Sequence, residues 1–142
     1  MSATATRTIA SMTVTTGVSV TTGHDLDVDI PVLTGMQRQG DVLVIPSPAG
    51  KNATTPVPAT GTPVVRGENG GNTHAIYPDG PGVACDTFAA DGASLRVATL
   101  TVPAGSTAYL GHPEHGFMGI GPGRYELRRQ REMADELRVV AD

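Results

Sequence analysis

The chain has 142 residues, a formal net charge of −4, one cysteine and no tryptophan. A single domain of this size buries roughly two-thirds of its unfolded surface without staples, and the lone Cys85 excludes an intramolecular disulfide and a cysteine-built metal site. No run approaches the roughly 18 apolar residues of a membrane span, and the N-terminus lacks the apolar stretch of a secretory signal, so the expectation is a soluble, cytoplasmic protein with no membrane partner.

Arg124, Arg128, Arg129, Arg131 and Arg138 are offset by Glu126, Glu132, Asp135, Glu136 and Asp142, so the C-terminal segment is locally neutral and residues 1–123 carry the net negative charge. That distribution disfavours phosphate-rich partners, and nucleic acid is not expected to bind. The high Arg/Lys ratio and the richness in Ala, Gly, Val and Thr suggest a GC-rich bacterial or phage genome. The 18 glycines and 11 prolines punctuate short Val/Ile/Leu/Thr runs, as turn residues punctuate strands.

Residues 1–23 form a Thr/Ser-rich leader. Met12-Thr-Val14-Thr-Thr and Val18-Ser-Val20-Thr alternate with a period of two, which reads either as strands or as a flexible tail. As strands they would expose an edge, so the chain is expected to form a homo-oligomer or to dock on a protein partner by strand addition. Residues 24–142 read as a single β domain. His24-Asp-Leu-Asp-Val-Asp-Ile30 alternates acids with Leu26, Val28 and Ile30, predicting a strand with one solvated face. Three carboxylates on one strand face stand about 6.5–7 Å apart, too far to share one cation.

Gly40-Asp-Val-Leu-Val-Ile45 is the clearest buried strand, and the Pro/Gly-rich stretch 46–63 predicts an exposed, mobile loop. Val64–Arg66, Ala75–Tyr77, Ala84–Phe88, Leu95–Val102 and Thr107–Leu110 follow as strands between glycine- and proline-bearing turns. The Pro/Gly turn before Thr107–Leu110 is echoed at Ile120-Gly-Pro-Gly123, which predicts a strand over about 124–132. Met133, Leu137 and Val140 keep a short C-terminal helix open as the competitor. The predicted fold is therefore all-β: a small barrel or two-sheet, jelly-roll-like sandwich of about eight to ten short antiparallel strands, with at most one short C-terminal helix.

Three of the four histidines sit in or beside glycine-rich turns. His74 ends Gly67-Glu-Asn-Gly-Gly-Asn-Thr-His74, and His112-Pro-Glu-His115 bridges two strands. The first of these lacks the Lys-Ser/Thr of a phosphate loop. His74, His112 and His115 offer three nitrogen ligands, with Glu114 or Glu68 as fourth ligand, outer-sphere partner or general base. A divalent Zn, Fe, Mn or Ni ion would suit such a set. The competing reading is that these are surface loop histidines bonded to nearby backbone. Gln130-Arg131-Glu132 reads as solvated strand charges, and Ser94 and Ser106 lack a nucleophile-elbow context.

Gly67-Glu68, Gly71, His74, His112-x-Glu114-His115, Gly123-x-Tyr125, Gln130-Arg131-Glu132 and Val140-x-Asp142 together resemble a group of small uncharacterised bacterial proteins. In that group a Gly-Glu-x-x-Gly-His-x-His turn precedes a His-x-Glu-His segment. The resemblance covers about 39–142, departs at Asn72 where the pattern has histidine, implies a compact all-β unit and implies no activity. A looser resemblance to cupins lacks their His-x-His. The function expected first is a β-rich binding module with a His-lined, divalent-metal site. A metal-dependent cupin-like enzyme and an assembly protein of a bacterial or phage complex are the alternatives.

Overall fold

The computed structural model describes residues 7–18, 20, 28–66, 73–88 and 96–129. It contains α1 (Ile9–Thr16), β1 (Val32–Leu33), β2 (Gln37–Gln39), β3 (Val42–Pro46), β4 (Thr62–Val65), β5 (His74–Asp79), β6 (Ala84–Thr87), β7 (Arg96–Val102), β8 (Thr107–His112), β9 (Gly116–Ile120) and β10 (Gly123–Arg129). The strands form two five-stranded sheets, ordered β1-β9-β8-β5-β4 and β2-β3-β10-β7-β6. The chain is thus an all-β sandwich rather than a barrel. Strand pairing is antiparallel throughout the named strands except for β1 with β9, which is parallel and departs from the all-antiparallel expectation.

Period-two alternation fills the space between the sheets. Val42 and Val44 of β3, Ile76 of β5, Leu100 of β7, Leu110 of β8 and Leu127 of β10 all point inward and form one continuous core. The other face of the first sheet is apolar as well. Ala75, Tyr77, Tyr109 and Phe117 project outward there and are covered by Met12 and Ile30. Each sheet residue that turns away from the inner core at 75, 77 and 109 therefore meets the N-terminal segment instead of water.

That cover explains the first correction. Met12–Thr16 is not a strand but part of α1. Thr8 caps the helix in a reciprocal bond with Ser11, and Gly17 ends it at φ +76°. The hydroxyls of Thr13, Thr15 and Thr16 each donate to the carbonyl four residues back. An eight-residue Thr/Val-rich helix is marginal alone; burying Met12 against the aromatic layer stabilises it. The segment is held at its start by Arg7, which makes a two-pronged ion pair with Asp79 (3.0 and 3.2 Å). Thus the short helix lies at the N-terminus, and the C-terminal helix considered over 133–142 falls outside the described residues.

Two further expectations change. Val28 is exposed while Ile30 is buried, and residues 28–30 contribute only an isolated bridge from Asp29 to Thr8, so the described end of 24–30 is not an alternating strand. The Pro-rich connection is shorter than the 46–63 expected, because Pro46 ends β3 and Thr62 and Pro63 begin β4; from 47 to 61 it is largely exposed and tied to the body. The Val57 amide donates to Val83, the Cys85 amide donates to Thr55, and the Asp86 carboxylate accepts from the amides of Thr54 and Thr55. Within it, Ala53 and Val57 are buried. Proline removes donors but leaves carbonyls and side chains free to dock. None of the described helices is long and apolar enough to cross a membrane.

Candidate metal centre

The site lies at one end of the sandwich, where β5 begins and β8 ends. The register Ala75↔Gly111, continued by one residue, sets His74 directly opposite His112. Both share the parity of Ile76 and Leu110 and therefore face the space between the sheets. The pair His112↔Gly116 closes a three-residue turn, Pro113-Glu114-His115, with Gly116 at φ +80°. That left-handed position is open to glycine at no steric cost, and the turn folds His115 back over the other two rings.

The ring centroids are 4.2 Å apart for His74 and His112, 4.5 Å for His112 and His115, and 5.8 Å for His74 and His115. One nitrogen from each ring lies within 4.8 Å of the others. His74 and His112 are buried, at 4% and 5% exposure, whereas His115 is exposed. The three histidines singled out from the sequence do come together, but two of them differ from the expected setting. His74 and His112 are strand residues with buried rings, not loop histidines reached by solvent.

Burial is the main cause that pushes His74 down to about 4, and the neighbouring His112 ring pushes in the same direction. His112 is lowered for the same two kinds of reason, burial first and then the charge of His115. The Asp41 carboxylate opposes both shifts, and Glu114 opposes that of His112. At neutral pH both rings are therefore uncharged and have a lone pair available.

What those lone pairs do differs between the rings. The Gln39 backbone carbonyl stabilises the proton on His74, and Nε2 of that ring is buried with no hydrogen-bond partner among the described residues. A histidine donating one nitrogen to a carbonyl and holding the other free has the arrangement of a metal ligand. In His112, by contrast, Nδ1 accepts from the amides of Glu114 (3.0 Å) and His115 (3.3 Å). The neutral ring then carries its proton on Nε2.

Of the remaining predicted residues, Glu114 is exposed on the turn and acts on His112 through its charge, outside the three-nitrogen group. Glu68 lies outside the described residues, as do Asn72 and Gln130-Arg131-Glu132. Three residues of the β2–β3 turn were missed. Gln39 is buried and crosses between the sheets, where Nε2 donates to the carbonyls of Leu110 (3.0 Å) and Gly116 (3.2 Å). Gly40, at φ +58°, packs so closely that a Cβ there would stand 2.7 Å from Nε2 of His115. Asp41 supplies the opposing charge. The Gly-Asp pair between two strands is a hairpin signal and could have placed this turn. Nothing in the sequence says that it meets the histidines.

Comparison with protein-family models matches residues 38–130 to the family described as "Domain of unknown function (DUF8820)". No curated protein and no solved structure matches the chain. The matched stretch covers well over half the chain and contains Gln39, Gly40, Asp41 and all three clustered histidines, so the protein belongs to that domain family of unknown function.

Proposed function

We propose that the protein is a small binding module whose site holds one divalent transition-metal ion on His74, His112 and His115. The observation that carries this reading is Nε2 of His74, which has no hydrogen-bond partner among the described residues and is buried within reach of two further imidazoles. Three imidazoles favour zinc or nickel over manganese, which prefers oxygen ligands. Three protein ligands leave a fourth position open in a tetrahedral site.

Ligand nitrogens around a tetrahedral ion stand about 3.3 Å apart, from metal–nitrogen distances of 2.0–2.1 Å, so the group contracts from its 4.8 Å spread on loading. His115, exposed at the end of its turn, is the ring free to move. Untagged protein is expected to bind one zinc ion by native mass spectrometry. His74→Ala and His112→Ala are each expected to lower affinity by at least about 100-fold, since loss of an outer-sphere partner alone costs 10–100-fold. Zinc binding equal in wild type and both variants would refute the assignment.

Loading also has a local structural consequence. His112 cannot both ligate through one nitrogen and keep accepting two amides at a deprotonated Nδ1, so the turn must release it. The amides of Glu114 and His115 are expected to shift and to lose protection from hydrogen exchange when zinc binds. Unchanged exchange at both would show that His112 stays outside the coordination sphere.

A further inference from the structure

A second buried polar atom, in the residue before Gly40, lacks a partner among the described residues. Oε1 of Gln39 is buried, in a residue only 6% exposed, and accepts no hydrogen bond among the described residues. A buried acceptor left unpaired is costly and calls for a reason. The amide cannot relieve this by turning over, because both Nε2 bonds go to carbonyl oxygens, which need a donor.

Gln39 adjoins the site in three ways. Its backbone carbonyl acts on the His74 ring. The next residue, Gly40, packs on His115. Its side-chain amide bridges Leu110 and Gly116, the residues flanking the Gly111↔Phe117 pair. Phe117 and the Cβ position of Gly111 turn to the outer layer, and the amide reaches the carbonyls on either side of that pair from the opposite sheet.

We infer that Gln39 selects the ligand in the open metal position: its fixed carbonyl oxygen accepts a hydrogen bond from the metal-bound atom of that ligand. The inference rests on the metal reading. It names a ligand class, molecules whose donor atom carries hydrogen, such as water, an alcohol or an amine. Bare anions are disfavoured there, because they would face the carbonyl lone pairs without a proton between. One loaded ion would then resolve both orphaned atoms, with His74 Nε2 on the metal and Gln39 Oε1 on its bound water.

The test uses untagged protein loaded with cobalt(II), read by its visible ligand-field absorption, and titrated with azide near neutral pH. Gln39→Met removes the oxygen at nearly constant length, and azide affinity is expected to rise about tenfold, the effect of removing one unfavourable polar contact. Gln39→Glu keeps the oxygen, adds charge and is expected to weaken azide. Affinities within twofold of wild type in whichever of these variants folds would overturn the inference. A measurement on the wild-type protein needs no variant: zinc is expected to move the Gln39 side-chain carbonyl 13C resonance downfield as it gains a hydrogen bond, and an unmoved resonance would equally overturn it. Absence of any cobalt absorption in wild type would instead remove the metal reading itself.

Discussion

Replacing His74 with leucine is expected to stabilise the metal-free protein by about 1 kcal/mol while abolishing zinc binding. The two side chains are similar in volume, so no large cavity opens. What the substitution removes is a buried nitrogen with no partner among the described residues, a group whose desolvation costs roughly 1–3 kcal/mol when unsatisfied. This outweighs the loss of the other nitrogen's bond to the Gln39 carbonyl. A core histidine kept for packing behaves the opposite way, because its loss would break bonds that hold the fold. Urea unfolding of the metal-free wild type and of His74→Leu separates the two cases. A variant less stable than wild type by 1 kcal/mol or more would mean that His74 serves the fold first.

The same residue governs acid stability. In the unfolded chain a histidine titrates near its ordinary 6.5, whereas in the folded protein burial and His112 push His74 down to about 4. As pH falls, the unfolded state therefore takes up the proton first, and the fold loses stability between those two values. Above 6.5 neither state is protonated and the effect is absent; below 4 it has reached its limit. The whole span corresponds to about 3 kcal/mol. His112 is lowered as well and steepens the loss in the same direction. Every other titratable group is present in both wild type and His74→Leu, so the difference between their stability curves reports the histidine. That difference is expected to grow in favour of the variant from pH 6.5 down to 4. Parallel curves over that range would contradict the assigned shift.

Strands were legible where a period of two coincided with a sharp stop. Val42–Pro46, Thr107–His112 and Gly123–Arg129 all follow a glycine or proline turn, and each alternates between the inner core and another surface. The run Val42-Leu-Val-Ile45 read as buried on both faces, yet Leu43 and Ile45 are only half-buried. An apolar run does not say how many of its sides are covered. The helix at Ile9–Thr16 was hidden because threonine and valine favour strands. Its stability comes from Met12 meeting Tyr77, Tyr109 and Phe117, residues more than 60 positions away.

The candidate site divides along similar lines. His112 and His115 are joined by a local turn that sequence spacing can reveal. His74 joins them only through the β5–β8 register, and the glycine-rich stretch before it hinted at a turn without giving its address. Gly40-Asp41 carried a hairpin signal, but nothing in Gln39, Gly40 or Asp41 said that their turn meets the histidines. A buried glutamine is recognised by what it bonds, and those carbonyls, Leu110 and Gly116, belong to the opposite sheet. Burial likewise reversed the chemistry expected of His74 and His112, from solvent-reachable rings to neutral ones held inside the sandwich.

X-ray absorption at the zinc edge of the loaded, untagged protein tests the metal assignment most directly. The expected spectrum shows a four-coordinate ion with three imidazole nitrogens at about 2.0–2.1 Å and one additional oxygen, with the outer-shell scattering of three imidazole rings. His115→Ala should reduce the imidazole count to two. A spectrum dominated by oxygen ligands, or one unchanged by the removal of His74, would contradict a metal centre built from these three histidines.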